Sequence, residues 1–146
     1  MKEINTKNTR LILFHKHPAS ARLQFLRFHH GGVCGFQPLP KLASLIEQDT
    51  VDATGLVVHP STITNWGEQQ LDLQPGDINA ETEFCERVEV PHGNITVYLA
   101  GFKGYETPHD KLARYEAKFS NMMECIGMPP VEMLLLQKAY KVIMGG

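Results

Sequence analysis

The sequence predicts an α+β fold in a single domain spanning residues 1–146. Three observations support this prediction: the chain length, strand patterns that pair into two hairpins, and two helical patterns at the end of the chain. A chain of 146 residues with 42% hydrophobic residues has the usual size and composition of one globular domain. Because the strand and helix patterns do not alternate as βαβ units, we expect a mostly antiparallel sheet.

The first hairpin is expected at about residues 10–29. Residues 10–17 contain four apolar residues in succession, LILF, which is typical of a strand buried on both faces. After the turn that Pro18 begins, residues 22–29 alternate between polar and apolar side chains over their first half, as a second strand would. Two glycines then turn the chain, and a short strand is expected at residues 33–36.

Short helices are expected to connect the first hairpin to the second. Residues 39–48 carry leucine and isoleucine at helical spacing and predict one of these helices. Residues 55–58 form a short apolar run that suits a buried strand. The hydroxyl side chains that follow Pro60 offer N-cap oxygens for a second helix, which should end near Leu71.

The second hairpin is expected at residues 81–103. Its two strands flank the turn-forming residues PHGN, which predict a four-residue loop. If Val90 faces Ile95 across this loop, the register places Glu86 opposite Leu99 on the apolar face of the hairpin.

The chain is expected to end in two helices packed on one face of the sheet. Thr107 suits the N-cap, and Pro108 suits the first position of a helix that runs to Ile126. Gly127 should end this helix, and residues 131–144 should form the last one.

Charge is unevenly distributed along the chain, although the formal net charge is only −2. The first thirty residues have a clear excess of lysine and arginine and contain four of the seven histidines. Such a segment is suited to binding phosphate or nucleic acid. We favour pairing with the acidic middle of the same chain, because the positive charges are spread along two strands and form no run.

Cysteine usage and hydropathy predict a cytoplasmic protein. The three cysteines are widely spaced and contain no Cys-x-x-Cys motif, so neither a disulfide framework nor a zinc ribbon is indicated. The longest apolar runs are only four residues long, and the charged amino terminus is not followed by an apolar segment. We therefore expect no membrane association, and no cofactor is indicated.

His15 and His17 are the first candidate site residues. Their i, i+2 spacing points both imidazoles to one face of a strand, and His29 would lie nearby if the first hairpin forms. A metal centre needs three or four ligands at fixed geometry, and the usual ligand motifs are not found in this sequence. Histidines exposed at a strand end are the simpler interpretation, and no metal is predicted.

Cys34, Trp66 and Glu86 complete the candidate ligand-binding residues. Glycines beside Cys34 expose backbone amides near its thiol, although a small buried cysteine is more common. Trp66 offers a surface for stacking on a ligand, but a lone tryptophan more often fills the core. Glu86 interrupts an apolar face, so we expect it to be buried and paired with an arginine or histidine of the first strands. A β-bulge would instead return it to solvent.

These residues form no recognisable catalytic arrangement, and the sequence leaves open whether the chain is an enzyme. The leading prediction is a small binding or interaction module that performs no chemistry. One alternative is a metal-dependent or general acid–base enzyme that uses His15, His17, His29 and Glu86. A second alternative is an anion or nucleic-acid binder that uses the basic N-terminal strands, with nucleic acid the less favoured ligand.

The last helix is expected to bury two apolar faces. One of them should pack on the sheet. The other contains Met133, Leu136, Tyr140 and Met144 at helical spacing. Because the sheet covers only one face, the second should contact either the preceding helix or a second copy of the chain. A homodimer through these four residues is therefore one of two open alternatives.

Overall fold

The computed structural model describes residues 6–46, 58–91 and 93–145. Its strands are β1 (Thr9–Lys16), β2 (Leu23–Arg27), β3 (Cys34–Gly35), β4 (Ser44–Leu45), β5 (Ile78–Val90), β6 (Gly93–Phe102) and β7 (Lys118–Ser120). Its helices are α1 (Pro60–Gln70), α2 (His109–Ala113) and α3 (Pro130–Gly145), and Met123–Cys125 form a 3₁₀ turn. Within these residues, no helix is long and apolar enough to cross a membrane.

The seven strands form one sheet in the order β4-β5-β6-β1-β2-β7, with β3 also paired to β1. All of the pairings are antiparallel except that of β1 with β6, which is parallel. The predicted α+β class and both predicted hairpins, β1–β2 and β5–β6, are confirmed. The apolar run in β1 is buried on both faces because β1 lies in the middle of this sheet.

Strands β2 and β3 lie end to end along the same side of β1. Phe25 of β2 faces Phe14, and an uninterrupted register would place Arg27 opposite Ile12. Cys34 of β3 faces Ile12 instead, so residues 28–33 leave the sheet as a loop before the chain returns to β1. The short strand predicted at residues 33–36 is thus present, but it contains only Cys34–Gly35.

The sheet has a hydrophobic core on each of its two faces. One core lies under α3 and contains Leu135 together with residues such as Val97 and Leu99. The other lies under α1 and α2 and contains Trp66, Leu112 and residues of β1 and β6. Helices therefore cover both faces, whereas the sequence predicted two C-terminal helices on a single face.

The helix predicted from Pro108 to Ile126 is much shorter than expected. It ends after α2 because Glu116 adopts a left-handed conformation, with φ 56°, and Ala117 donates its backbone N–H to the carbonyl of Leu112. The next residues form β7, which pairs with the edge of β2. Backbone hydrogen bonds to β2 replace those of the expected helix, so α3 is the one long helix of the described C-terminal region.

No helix forms in the described part of residues 39–48. Ser44 and Leu45 instead pair with the outer edge of β5, because edge pairing satisfies backbone groups that β5 would otherwise expose. The rest of that predicted helix, and residues 55–57 of the predicted strand, lie outside the described residues. The helix predicted to end near Leu71 is present as α1, but the side chain of His59, rather than a hydroxyl group, caps it.

The register of the second hairpin differs by two residues from the predicted one. Val90 pairs with Gly93, and Glu86 pairs with Val97 instead of Leu99. The prediction was wrong because it assigned four residues to the loop, whereas only two separate the paired strands. The register shifts between Ala80 and Cys85, and beyond this shift Ala80 pairs with Ala100 and Ile78 with Phe102.

Candidate ligand-binding cleft

A cleft with a volume of about 710 Å³ lies at one end of the sheet. One wall comes from the β1–β2 hairpin and includes His15, His17 and Arg22. The opposite wall comes from residues 105–111, which follow β6 and include His109. We call this site the histidine cleft.

The topology explains why these two segments meet. Strands β1 and β6 are parallel neighbours, with His15 opposite Phe102 at their ends. Chain segments that leave the carboxyl ends of parallel strands emerge at the same edge of a sheet, which is where ligands commonly bind in open sheets. Residues following β1 and residues following β6 are brought together here, although about ninety positions separate them in the sequence.

His15 is buried, with 5% of its surface exposed, and it lines the histidine cleft. Its Nε2 lies 2.8 Å from the carbonyl oxygen of Gly104. Because a carbonyl oxygen only accepts hydrogen bonds, Nε2 carries the proton. In the neutral ring Nδ1 is then an acceptor, and no group among the described residues donates to it.

His17 has the same tautomer as His15, but different contacts fix it. Its Nδ1 accepts the backbone N–H groups of Ala19 and Ser20, each at 3.2 Å, so Nδ1 is unprotonated and Nε2 carries the proton. The ring of His17 lies edge-on to that of Tyr105, with centroids 5.2 Å apart. The turn between β1 and β2 and the exposed Tyr105 thus hold the second histidine in place.

His109 lies on the other wall of the cleft. Its Nε2 is 2.6 Å from the hydroxyl oxygen of Thr107. The ring of Phe119 in β7 contacts both His109 and His15, with centroid separations of 6.0 and 6.3 Å. Phe119 therefore packs against one histidine from each wall of the cleft.

Charged side chains of both signs line the histidine cleft. Arg22 and Lys111 are the cations, and Glu106 and Asp110 are the anions. None of the four forms a hydrogen bond or ion pair through its side chain with another described residue. Their charges are therefore available to a molecule that enters the cleft.

Of the residues singled out in the sequence, the structure brings together only His15 and His17. His29 lies in a different groove with Arg27 and Lys118. Glu86 lies on the face of the sheet that α3 covers, whereas His15 lies on the opposite face. His15, His29 and Glu86 therefore do not form one site.

Cys34 and Trp66 belong to the hydrophobic cores. Burial raises the pKa of the Cys34 thiol well above its usual value, and the nearby Glu132 acts in the same direction. A thiol that resists ionisation is a poor nucleophile. Trp66 packs edge-on against Phe36, with ring centroids 5.0 Å apart, and only a small part of its surface is exposed.

Glu86 lies on the apolar face of β5, as predicted, but it is half-buried instead of buried. The bulge lies before it, between Ala80 and Cys85, and does not rotate its side chain to the opposite face. Pairing of Glu86 with an arginine or histidine of the first strands stays a prediction.

The sequence did not identify the second wall of the cleft. Tyr105, His109 and Lys111 lie in the polar segment GYETPHDK, whose pattern predicts only the start of a helix. The signal was the concentration of titratable residues in this segment. Its meaning depends on the parallel pairing of β1 with β6, which no local pattern predicts.

A second polar arrangement holds the loop at residues 28–33. His30 Nδ1 accepts the N–H of Gly32 at 3.2 Å, and its Nε2 donates to the carbonyl of Cys34 at 3.0 Å. Burial lowers the pKa of His30; Glu132 and the hydrogen bond to Cys34 partly oppose this effect. The folded protein therefore favours the neutral imidazole.

We expect the free energy of unfolding to fall as the pH decreases below about 6.5, the ordinary pKa of histidine. The unfolded chain binds a proton at His30 at higher pH than the folded chain does, so acid favours unfolding until the folded form is protonated as well. His30→Asn should reduce this loss, because the Asn side-chain oxygen accepts the Gly32 N–H without titrating. Denaturation midpoints measured from neutral to mildly acidic pH test this expectation.

The matched control for this experiment is His29→Asn, which changes the exposed neighbouring histidine. It should leave the acid dependence of the midpoint close to that of the parent protein. An identical pH profile for the parent and His30→Asn would contradict the assigned role of His30.

The described residues contain no group of three or more histidine, cysteine, aspartate or glutamate side chains placed to hold a metal ion. No protein-family model matches the chain, and no curated protein matches it either. The fold and the histidine cleft are therefore the basis for a functional proposal.

Proposed function

We propose that this protein is a binding module that holds a small polar molecule in the histidine cleft and performs no chemistry on it. The observation that carries the proposal is the convergence of His15, His17, His109 and unpaired charged side chains on one cleft. A concave site with a few convergent polar groups is the usual form of a small-molecule site.

The catalytic alternative has less support. It requires His15, His17, His29 and Glu86 to act together, but these residues lie in different places on the sheet and its loops. The buried Cys34 does not supply a nucleophile to the cleft. A binding role requires only the groups that already line the cleft.

A screen of small polar molecules by protein NMR tests the proposal. We expect shift changes that cluster at residues 15–24 and 104–111, the two walls of the cleft. The variant Arg22→Ala should weaken binding, whereas Lys118→Ala, in the separate groove beside His29, should not. Failure of every molecule to shift these walls, or shifts confined to other surfaces, would refute the proposal.

We also propose that a second copy of the chain covers the exposed part of α3. Tyr140 and Met144 are exposed on this helix, and Met133 is half-buried. Leu136, which the sequence analysis placed on this surface, is instead fully buried in the core under α3, because the helix turns it toward the sheet. The proposed interface therefore contains Met133, Tyr140 and Met144, without Leu136.

Sedimentation at micromolar protein concentration tests the homodimer. The double variant Tyr140→Glu, Met144→Glu should sediment as a monomer and still unfold in one cooperative transition, because both side chains are exposed in the single chain. A parent protein that sediments only as a 16.4 kDa species would refute the dimer.

The proposed location is the cytoplasm. The support is the state of the three cysteines, all of which are free, with Cys34 and Cys125 buried as thiols. A reducing compartment preserves such thiols. Cell fractionation that recovered the protein from another compartment would contradict this proposal.

A further inference from the structure

We infer that the ligand of the histidine cleft is a small anion that also carries a hydroxyl group. This inference rests on the proposed function, because it names the class of molecule that the cleft holds. Hydrogen phosphate and hydroxycarboxylates share this chemistry, since each combines an anionic oxygen with an O–H group. Three features of the cleft support the inference: a fixed acceptor, a fixed donor, and unpaired cations.

His15 supplies the acceptor. The Gly104 carbonyl keeps the proton on Nε2, at a separation of 2.8 Å, so Nδ1 has a free lone pair in the neutral ring. Only 5% of the surface of His15 is exposed, and this residue lines the cleft. Nδ1 is not among the buried side-chain atoms that lack a partner, so it is accessible, and a ligand hydroxyl group in the cleft can donate to it.

His17 supplies the donor. The backbone N–H groups of Ala19 and Ser20 occupy its Nδ1, which leaves the Nε2–H group for an outside acceptor. The rings of His15 and His17 are perpendicular, with their centroids 6.2 Å apart. His15 lies near the end of β1 and His17 directly follows that strand, and both side chains line the cleft. One small ligand that has both a hydroxyl group and an anionic oxygen matches this pair.

The charged residues set the sign and limit the charge of the ligand. Arg22 and Lys111 line the cleft without partners among the described residues and attract an anion. Glu106 and Asp110 line it too and repel additional negative charge. A ligand with one or two negative charges fits this balance better than a polyphosphate or a nucleic-acid backbone.

The test compares hydrogen phosphate with sulfate by isothermal titration, slightly above neutral pH, where histidine side chains are ordinarily uncharged. Both probes are tetrahedral dianions, but only hydrogen phosphate has an O–H group to donate to His15. We expect hydrogen phosphate to bind about tenfold more tightly than sulfate. Glycolate and acetate form the corresponding pair for carboxylates, and the better-bound pair identifies which anion the cleft prefers.

Two variants separate the roles of the histidines. His15→Phe should reduce the affinity for hydrogen phosphate to that for sulfate and leave sulfate binding nearly unchanged. His17→Phe should weaken both probes alike, because both accept from Nε2–H. His29→Phe, outside the cleft, is the matched control and should change neither affinity. If His15→Phe does not fold, the His17→Phe result and the phosphate-to-sulfate ratio of the parent still decide the question.

The outcomes also distinguish this inference from the proposed function. Equal affinity for both members of each pair would overturn the inference. Binding of neutral glycerol alone would also overturn it, but glycerol binding in the cleft would still support the proposed function. If no small polar molecule of any charge binds, both proposals fail.

Discussion

Leu135→Ala is expected to lower the free energy of unfolding by about 2 to 5 kcal/mol. Leu135 is fully buried, with 0% of its surface exposed, in the middle of α3, and it belongs to the core that joins this helix to the sheet. Truncation to alanine removes apolar contacts and leaves a cavity that the surrounding sheet can only partly fill. Because a domain is typically stable by only about 5 to 15 kcal/mol, denaturant unfolding should show this loss clearly.

Leu134→Ala is the matched control, because it makes the same chemical change one position earlier on the same helix. Leu134 is 44% exposed, and its variant should lose less than about 1 kcal/mol. The two variants change helix propensity equally, so the difference between them measures burial alone. Equal losses would show that α3 does not pack on the sheet through the face described above.

The two hairpins and α3 could be predicted because local patterns specify them. The apolar run in β1 indicates burial on both faces, and the turn-forming residues that precede Asn94 place the turn of the second hairpin. The repeat of apolar residues along α3 likewise indicates a helix without any knowledge of the rest of the chain. Such elements depend mainly on residues close together in the sequence.

The short strands could not be predicted in this way. β4 and β7 contain only two and three residues, and each is stabilised by pairing with the edge of a distant strand. The apolar spacing from Leu112 to Ile126 suits a helix, but pairing of Phe119 with Leu26 of β2 overrides that local preference. Edge pairing depends on the assembled sheet, so the isolated segment does not indicate it.

Only one wall of the histidine cleft could be predicted from the sequence, because the other wall depends on contacts between distant strands. The i, i+2 spacing of His15 and His17 indicates a shared face within one strand. The contribution of His109 and Lys111 requires the parallel contact between β1 and β6, which lies outside any sequence window. The sequence also does not show which nitrogen of His15 carries the proton, because the carbonyl group that accepts from it belongs to the distant Gly104.

Glu132→Ala is expected to lower the free energy of unfolding by about 1 to 3 kcal/mol, the cost of leaving a buried donor without a partner. Glu132 lies in the first turn of α3 and is 6% exposed. Its carboxylate accepts the backbone N–H of Val33 at 2.9 Å, and Gly32 approaches it so closely that a Cβ at that position would collide with it. The carboxylate thus joins the loop between β2 and β3 to α3.

Two further variants identify the cause of this loss. Glu132→Gln keeps an oxygen acceptor for Val33 but removes the negative charge near the helix N-terminus, so it should be destabilised less than Glu132→Ala. Gln137→Ala changes an exposed residue of the same helix and should have little effect. Alanine is the better helix former than glutamate, so a loss of helix propensity does not account for the expected result. Hydrogen exchange should show faster exchange of the Val33 amide in Glu132→Ala, and an unchanged exchange rate together with an unchanged midpoint would contradict this role for the carboxylate.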